Sequence, residues 1–195
     1  MAKLPDPTDR LDPDARALAE HIASARAGAE GTDRQSNVYL AMLNNPGVTA
    51  RVSALGEHVR FDGCLPGDVR ELVVLRYSVE QGFGYEWAHH RHIALEEGVH
   101  EAVVDAITAG RPVEAEEFGA LRDDQRAALE ATDAVVDRRS IPSSTQRRLV
   151  SAHGEAGIVE LVAICGLYAL MGYMATAFDV PIEEGLPVPV ATPSR

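Results

Sequence analysis

A chain of 195 residues can form one domain with its own buried core, or two small fused repeats, and at 46% hydrophobic and 25% charged residues it needs no disulfide staple. Thirty acidic residues against 18 basic ones give a formal net charge of −12, which repels phosphate backbones and anionic membrane faces and so excludes nucleic acid and membrane surfaces as partners. Cys64 and Cys165 form no CxxC or zinc-ligand spacing and read as reduced, buried thiols; with no apolar stretch after Lys3, the expectation is a cytoplasmic protein without a signal peptide.

Helix punctuation recurs along the chain and no run alternates apolar and polar residues between hairpin turns, so the predicted class is all-α. Asp12-Pro13-Asp14 open a first helix with Leu18 and Ile22 on its apolar stripe, closed near Gly28. Ser36 caps a short segment through Val38, Leu40 and Leu43 that stops at Asn44-Asn45-Pro46-Gly47, and Val48, Val52, Leu55 and Val59 then recur at helical spacing.

The turn from Phe61 to Gly67 leads into a helix capped near Asp68, with Val69, Leu72, Val73 and Val79 on one face and Glu71 and Arg76 riding on it. Gly82 and Gly84 break the chain before a second helix from about Tyr85 to Glu97, closed by Gly98; the two form a helical hairpin suited to converging side chains.

Further helices are predicted around Val103, Val104 and Ile107, over 122–138, and after Pro142-Ser143-Ser144. The last, Gly157 to Phe178, carries no charge from Leu161 to Phe178, a span long enough for a membrane. Glu160 in its first turn, the small residues Ala163, Gly166, Ala169 and Gly172, and the lack of flanking Lys or Arg favour a buried core or subunit-interface helix. Arg70-Glu71-Leu72-Val73 and Val159-Glu160-Leu161-Val162 hint at a weak internal duplication. The expected organisation is an N-terminal helix and flexible segment over 1–34, a helical domain over 35–185 and a C-terminal tail over 186–195.

The segment from Arg70 to Gly98 holds the chemistry. Glu86 and His90, four apart on a helix, share a face with Cβ atoms about 5–6 Å apart, so the carboxylate is expected to orient and charge-stabilise an imidazole for general acid–base work. An ordinary surface pair has the same spacing. His89 lies near that face as a substrate-binding residue or a surface contact, while His92 lies on another side. Glu71, Glu86, His89 and His90 together also offer carboxylate and imidazole ligands to a divalent metal, although their spacing is not HExxH. Trp87 reads as core, Tyr85 as core or pocket lining, and Tyr168 and Tyr173 stay open. Arg76 binds a substrate carboxylate or makes a structural salt bridge to Glu71.

The pattern R-E-L-x-x-L-R at Arg70–Arg76, followed by a second helix with His90, resembles the carboxymuconolactone decarboxylase and alkylhydroperoxidase AhpD-like superfamily. The likeness extends upstream through Asn45-Pro46, Leu55, Arg60-Phe61 and Gly63, and downstream through Glu160-Leu161-Val162 and Ala177–Pro181. In the thiol peroxidase branch a C-x-x-C pair precedes the histidine; its positions here are Phe83 and Glu86, so disulfide chemistry is absent and the resemblance points to the decarboxylase-like branch. It implies an AhpD-like helical bundle, catalytic roles for Glu86 and His90, and for Glu71 a match to the acid of the peroxidase proton relay. Tyr85 stands where those decarboxylases usually carry another histidine.

The resemblance implies a cofactor-independent lyase or isomerase, working on a small carboxylated lactone or β-keto acid as a homotrimer or hexamer. A metal-dependent enzyme and a non-catalytic oligomeric binding protein on the same fold are the alternatives.

Overall fold

The computed structural model describes residues 4–26 and 36–188, and among them every regular element is helical. The α-helices are α1 (Pro13–Arg26), α2 (Asn37–Met42), α3 (Pro46–Glu57), α4 (Gly67–Gln81), α5 (Gly84–Glu96), α6 (Glu101–Thr108), α7 (Asp123–Val136) and α8 (Ser143–Ala177). The predicted stop at Gly28 and most of the 186–195 tail lie outside the described residues.

Local chemistry sets the boundaries. Asn45 caps α3 by accepting from the Val48 amide at 3.2 Å, with Pro46 in the first turn where its missing N–H costs nothing. α4 starts after Pro66 with Asp68 at its positive end, and stops at Gly82, whose φ of 70° is left-handed and disfavours any residue with a Cβ. The Phe83 amide reaches back to the Ser78 carbonyl at 2.8 Å, and α5 begins one residue later.

Between α3 and α4 runs an element the periodicity does not reveal, a π-helical segment at His58–Asp62. Wide turns of this kind occur mostly at functional sites, and this one carries Arg60.

α4 is the axis of the fold and packs against α5, α6, α7 and α8. Val69, Val73, Val74 and Tyr77 enter one hydrophobic cluster, shared with α2, α3 and α8. Leu72 and Leu75 enter a second, closed by Trp87, Val103, Val104, Ile107, Phe118 and Leu129. A helix buried on both sides explains why Leu72, Val73, Val74 and Leu75 are consecutive apolar residues without a clean stripe. Trp87 is core, as expected, with its indole N–H donating to Thr108 Oγ1 at 2.9 Å.

The two helices expected after Pro142 form one run that breaks at Gly154 (φ 69°, ψ 178°). Its apolar part is a candidate membrane span by length and hydropathy alone, but Leu161, Ile164, Cys165 and Met171 are buried inside the bundle. The opposite face leaves Val159, Val162 and Tyr173 exposed. Glu160 accepts from the amides of Cys64 (2.8 Å) and Leu65 (3.1 Å) and pins the turn before α4, so the two arms of the sequence duplication carry acids with different jobs.

Candidate active site

Burying a charged side chain costs several kcal/mol unless it is paired, so buried ionisable groups on two facing helices mark a site. α4 contributes Glu71, 1% exposed, and α5 contributes Glu86, His89 and His90, each below 10%. The hairpin at Gly82 turns α5 back along α4 and brings Glu71 and His90 together across 19 residues of chain.

Glu71 Oε2 and His90 Nδ1 lie 2.7 Å apart, and Glu71 Oε1 accepts from Arg70 Nε at 2.9 Å. Arg70 is itself fixed by Glu97 at 3.0 Å and by the Arg60 carbonyl at 3.2 Å. Glu71 therefore joins Glu86 as a carboxylate beside His90: its hydrogen bond across the helix pair reaches Nδ1 directly, a partner that the i,i+4 spacing of Glu86 and His90 does not reveal, while Glu86 shares the cavity wall with His90.

Burial pushes Glu71 towards its neutral form, but His90 and Arg70 outweigh it and hold the carboxyl below its ordinary range. Burial likewise lowers His90, with Arg60 and His89 pushing the same way and Glu71 opposing. The pair therefore rests as a carboxylate and a neutral imidazole. The Glu71 carboxylate accepts the Nδ1 proton, which makes Nε2 the basic nitrogen.

His90 opens onto a cavity of about 50 Å³, room for a few water-sized groups. Its wall includes Arg60, Tyr85, Glu86, His89, Tyr168 and Met171. Tyr168 meets His90 edge to face with centroids 4.8 Å apart, and burial raises its hydroxyl well above the ordinary range, so it is a neutral donor.

Of the residues singled out from sequence, Glu71, His90, Glu86, His89 and Tyr85 come together here, Glu71 behind His90 and the other four on the cavity wall. Arg76 does not. On the far side of α4 it binds Asp133 at 2.6 and 3.0 Å and the Arg111 carbonyl at 2.8 Å, with Glu80 at 3.5 Å. Five positions turn a helix by about 500°, or 140° away from Glu71, which rules out the expected bridge to that residue. Tyr173 is exposed and packs on Phe83 instead of the cavity.

Sequence reasoning missed Arg60, Tyr39 and Glu183. Arg60 was within reach as part of the Arg60-Phe61 resemblance, but its π-helical setting carries no periodic signal. Glu183 comes from beyond α8 and binds His89 across 94 residues. Among the described residues, no group of three or more His, Cys, Asp or Glu is arranged to hold a metal ion, which gives the metal-site alternative no support.

Comparison with known proteins agrees with this architecture. The Carboxymuconolactone decarboxylase family model matches residues 46–134, from the start of α3 to the end of α7, and so covers the α4–α5 hairpin. The fold resembles that of an uncharacterized peroxidase-related protein with an alkylhydroperoxidase AhpD core from Ralstonia eutropha JMP134, at 21% identity and a TM-score of 0.75, over 94% of this chain and 93% of that one. It also resembles the debrominase Bmp8, as apoprotein (21% identity, TM-score 0.70) and as a variant in complex with 2,3,4-tribromopyrrole (19%, 0.70), each over 89% of this chain and 90% of that one. No curated protein matches the sequence.

Proposed function

We propose that the chain is a member of the carboxymuconolactone decarboxylase and AhpD-like superfamily, whose family model matches residues 46–134, and within it a cofactor-independent lyase or isomerase of the decarboxylase-like branch, acting on a small carboxylated lactone or β-keto acid. The observation that carries this reading is the buried Glu71–His90 pair at 2.7 Å, presenting an imidazole to the cavity.

Decarboxylation breaks a C–C bond, sends the electron pair into the conjugated carbonyl system and returns a proton to the carbon that lost CO₂. His90 Nε2 takes up that proton from solvent as the substrate carboxylate binds and delivers it to the carbanionic carbon as CO₂ leaves, returning to the neutral imidazole. Glu71 stabilises the transient imidazolium through Nδ1, and Arg70, locked to Glu97, keeps Glu71 ionised. Arg60 and His89 supply positive charge on the wall for the carboxylate, and Tyr168 supplies a neutral hydroxyl for the developing enolate oxygen. Isomerisation uses the same shuttle without loss of CO₂.

Thiol peroxidase chemistry is not open to this chain, since Phe83 and Glu86 occupy the C-x-x-C positions; of the two cysteines expected to be buried only Cys165 is, with its thiol pushed up to about 12, while Cys64 is exposed and its thiol is also raised, by desolvation and by Glu160 beside it. The exposed apolar face of α8 at Val159, Val162 and Tyr173 supports a homotrimer or hexamer, and the absence of paired cysteines supports a cytoplasmic setting.

The test is turnover on a panel of carboxylated butenolides and β-keto acids, read as CO₂ release and as isomerised product, with His90→Gln and Glu86→Gln alongside. Losses of about 10²-fold or more in His90→Gln are expected. Wild-type rates in both variants would sink the assignment.

A further inference from the structure

The segment after α8 folds back over the α2–α5 side of the cavity and delivers one carboxylate there. Glu183 is a three-way acceptor. Its Oε1 takes the Asn37 amide at 2.6 Å and the Tyr85 hydroxyl at 2.7 Å, and its Oε2 lies 2.6 Å from His89 Nε2. Tyr85 passes the link on, since its oxygen also accepts from the Val38 amide at 3.2 Å, and its ring stacks on His89 with centroids 4.5 Å apart. Asn37 Nδ2 donates to the Pro181 carbonyl at 2.9 Å, a second tie between the same two segments.

Ser36, Val38 and Tyr39 on α2, and Tyr85 and His89 on α5, all line the cavity. One carboxylate therefore joins two walls otherwise separated by more than 40 residues of chain. Nothing in the proton shuttle uses it.

We propose that Glu183 is a positioning residue of the site: acting through His89 and Tyr85, it keeps His89 protonated on both ring nitrogens and holds that cationic ring in the cavity wall as part of the substrate's carboxylate subsite. This rests on the carboxylate-binding role given to His89 above. Because carboxylate oxygens only accept, Nε2 of His89 must donate to Glu183. The same bond, stacked on Tyr85, fixes the rotation of the ring.

The discriminating variant is Glu183→Gln, which keeps shape and volume. With its amide oxygen toward Asn37 N and Tyr85 Oη, its NH₂ faces His89 Nε2, two donors opposed. Loss of the Nε2 proton, which leaves His89 as the neutral Nδ1–H ring, relieves the clash and removes the positive charge that the carboxylate subsite uses. Nitrogen-15 spectra of histidine-labelled full-length protein are expected to show Nε2 of His89 protonated in the wild type and bare in Glu183→Gln, with the His90 resonances nearly unchanged. Affinity for succinate, the probe carboxylate, followed in the same spectra, falls about tenfold, the size expected for a hydrogen bond to a charged group.

An unchanged His89 signature in Glu183→Gln overturns the positioning role. An altered signature with unchanged succinate affinity overturns the subsite. Neither readout depends on turnover, so failure of the lyase assignment is separately visible in the His90→Gln rates. If Glu183→Gln lowers the melting temperature broadly and shifts the histidines alike, Glu183 is only a structural clamp and the proposal fails.

Discussion

Replacing Glu71 by glutamine tests the central pair most sharply. The side chain is 1% exposed and accepts two hydrogen bonds, one from Arg70 Nε and one from His90 Nδ1. Glutamine keeps the shape but can accept only at its oxygen. Arg70 cannot surrender a proton, so the amide oxygen must face it and the NH₂ must face His90. His90 then moves its own proton to Nε2, and the cavity-facing nitrogen is no longer a base.

The His90 bond falls from about 1.5–3 to about 0.5–1.5 kcal/mol, and the Arg70 bond keeps one charged group in place of two, so the variant costs about 1–3 kcal/mol at pH 7. The figure stays moderate because Arg70 keeps Glu97 at 3.0 Å and is not stranded. Glu71 is held below its ordinary pKa in the folded state, with His90 and Arg70 overcoming burial, so its contribution is present above about pH 4.5 and fades as pH falls through the lower folded value. The gap between wild type and Glu71→Gln, measured as the urea midpoint at constant slope, is therefore expected to close in acid. Nitrogen-15 spectra report the tautomer switch at His90, and turnover falls about 10²–10⁴-fold. A gap below about 0.5 kcal/mol at neutral pH, or one unchanged in acid, refutes the pairing.

Wild-type stability is expected to fall as pH drops below about 6.5, because unfolded His90 takes up a proton there while burial keeps the folded ring neutral; His90→Gln flattens that part of the urea-midpoint profile. Arg76→Ala loses about 1–3 kcal/mol by leaving the partly exposed Asp133 without its guanidinium, yet leaves succinate affinity unchanged, since Arg76 is not on the cavity wall. Light scattering of the wild type is expected to give a trimer or hexamer, which Val162→Asp breaks into smaller species by charging an exposed apolar face; a wild-type monomer at micromolar concentration refutes the interface.

Sequence periodicity and caps were enough to place the helices. Asp12-Pro13, Asn45-Pro46 and Gly82 are local signals, each set by the steric and hydrogen-bonding needs of one turn, and the structure starts or stops an element within a residue or two of each. Glu71, Glu86 and His90 were legible for the same reason, as unusual residues within a recognisable hairpin pattern.

Partners were not legible. A helix carries its residues around the axis at a fixed pitch, so sequence says that Glu86 and His90 share a face, but only the crossing of α4 and α5 decides that Glu71 takes Nδ1. The pairing of Arg76 with Asp133 depends on where α7 docks, 57 residues away. Arg60 enters through a π-helical turn without apolar periodicity, and Glu183 through a segment with no helical pattern at all. Composition and local spacing alone determined that this chain is helical, lacks the peroxidase cysteine pair and gathers Glu86, His89, His90 and His92 on one helix. Which carboxylate holds which imidazole was left to the tertiary structure, because hydrogen bonds form between atoms brought within 3 Å, and that proximity is a property of packed helices and not of neighbouring letters.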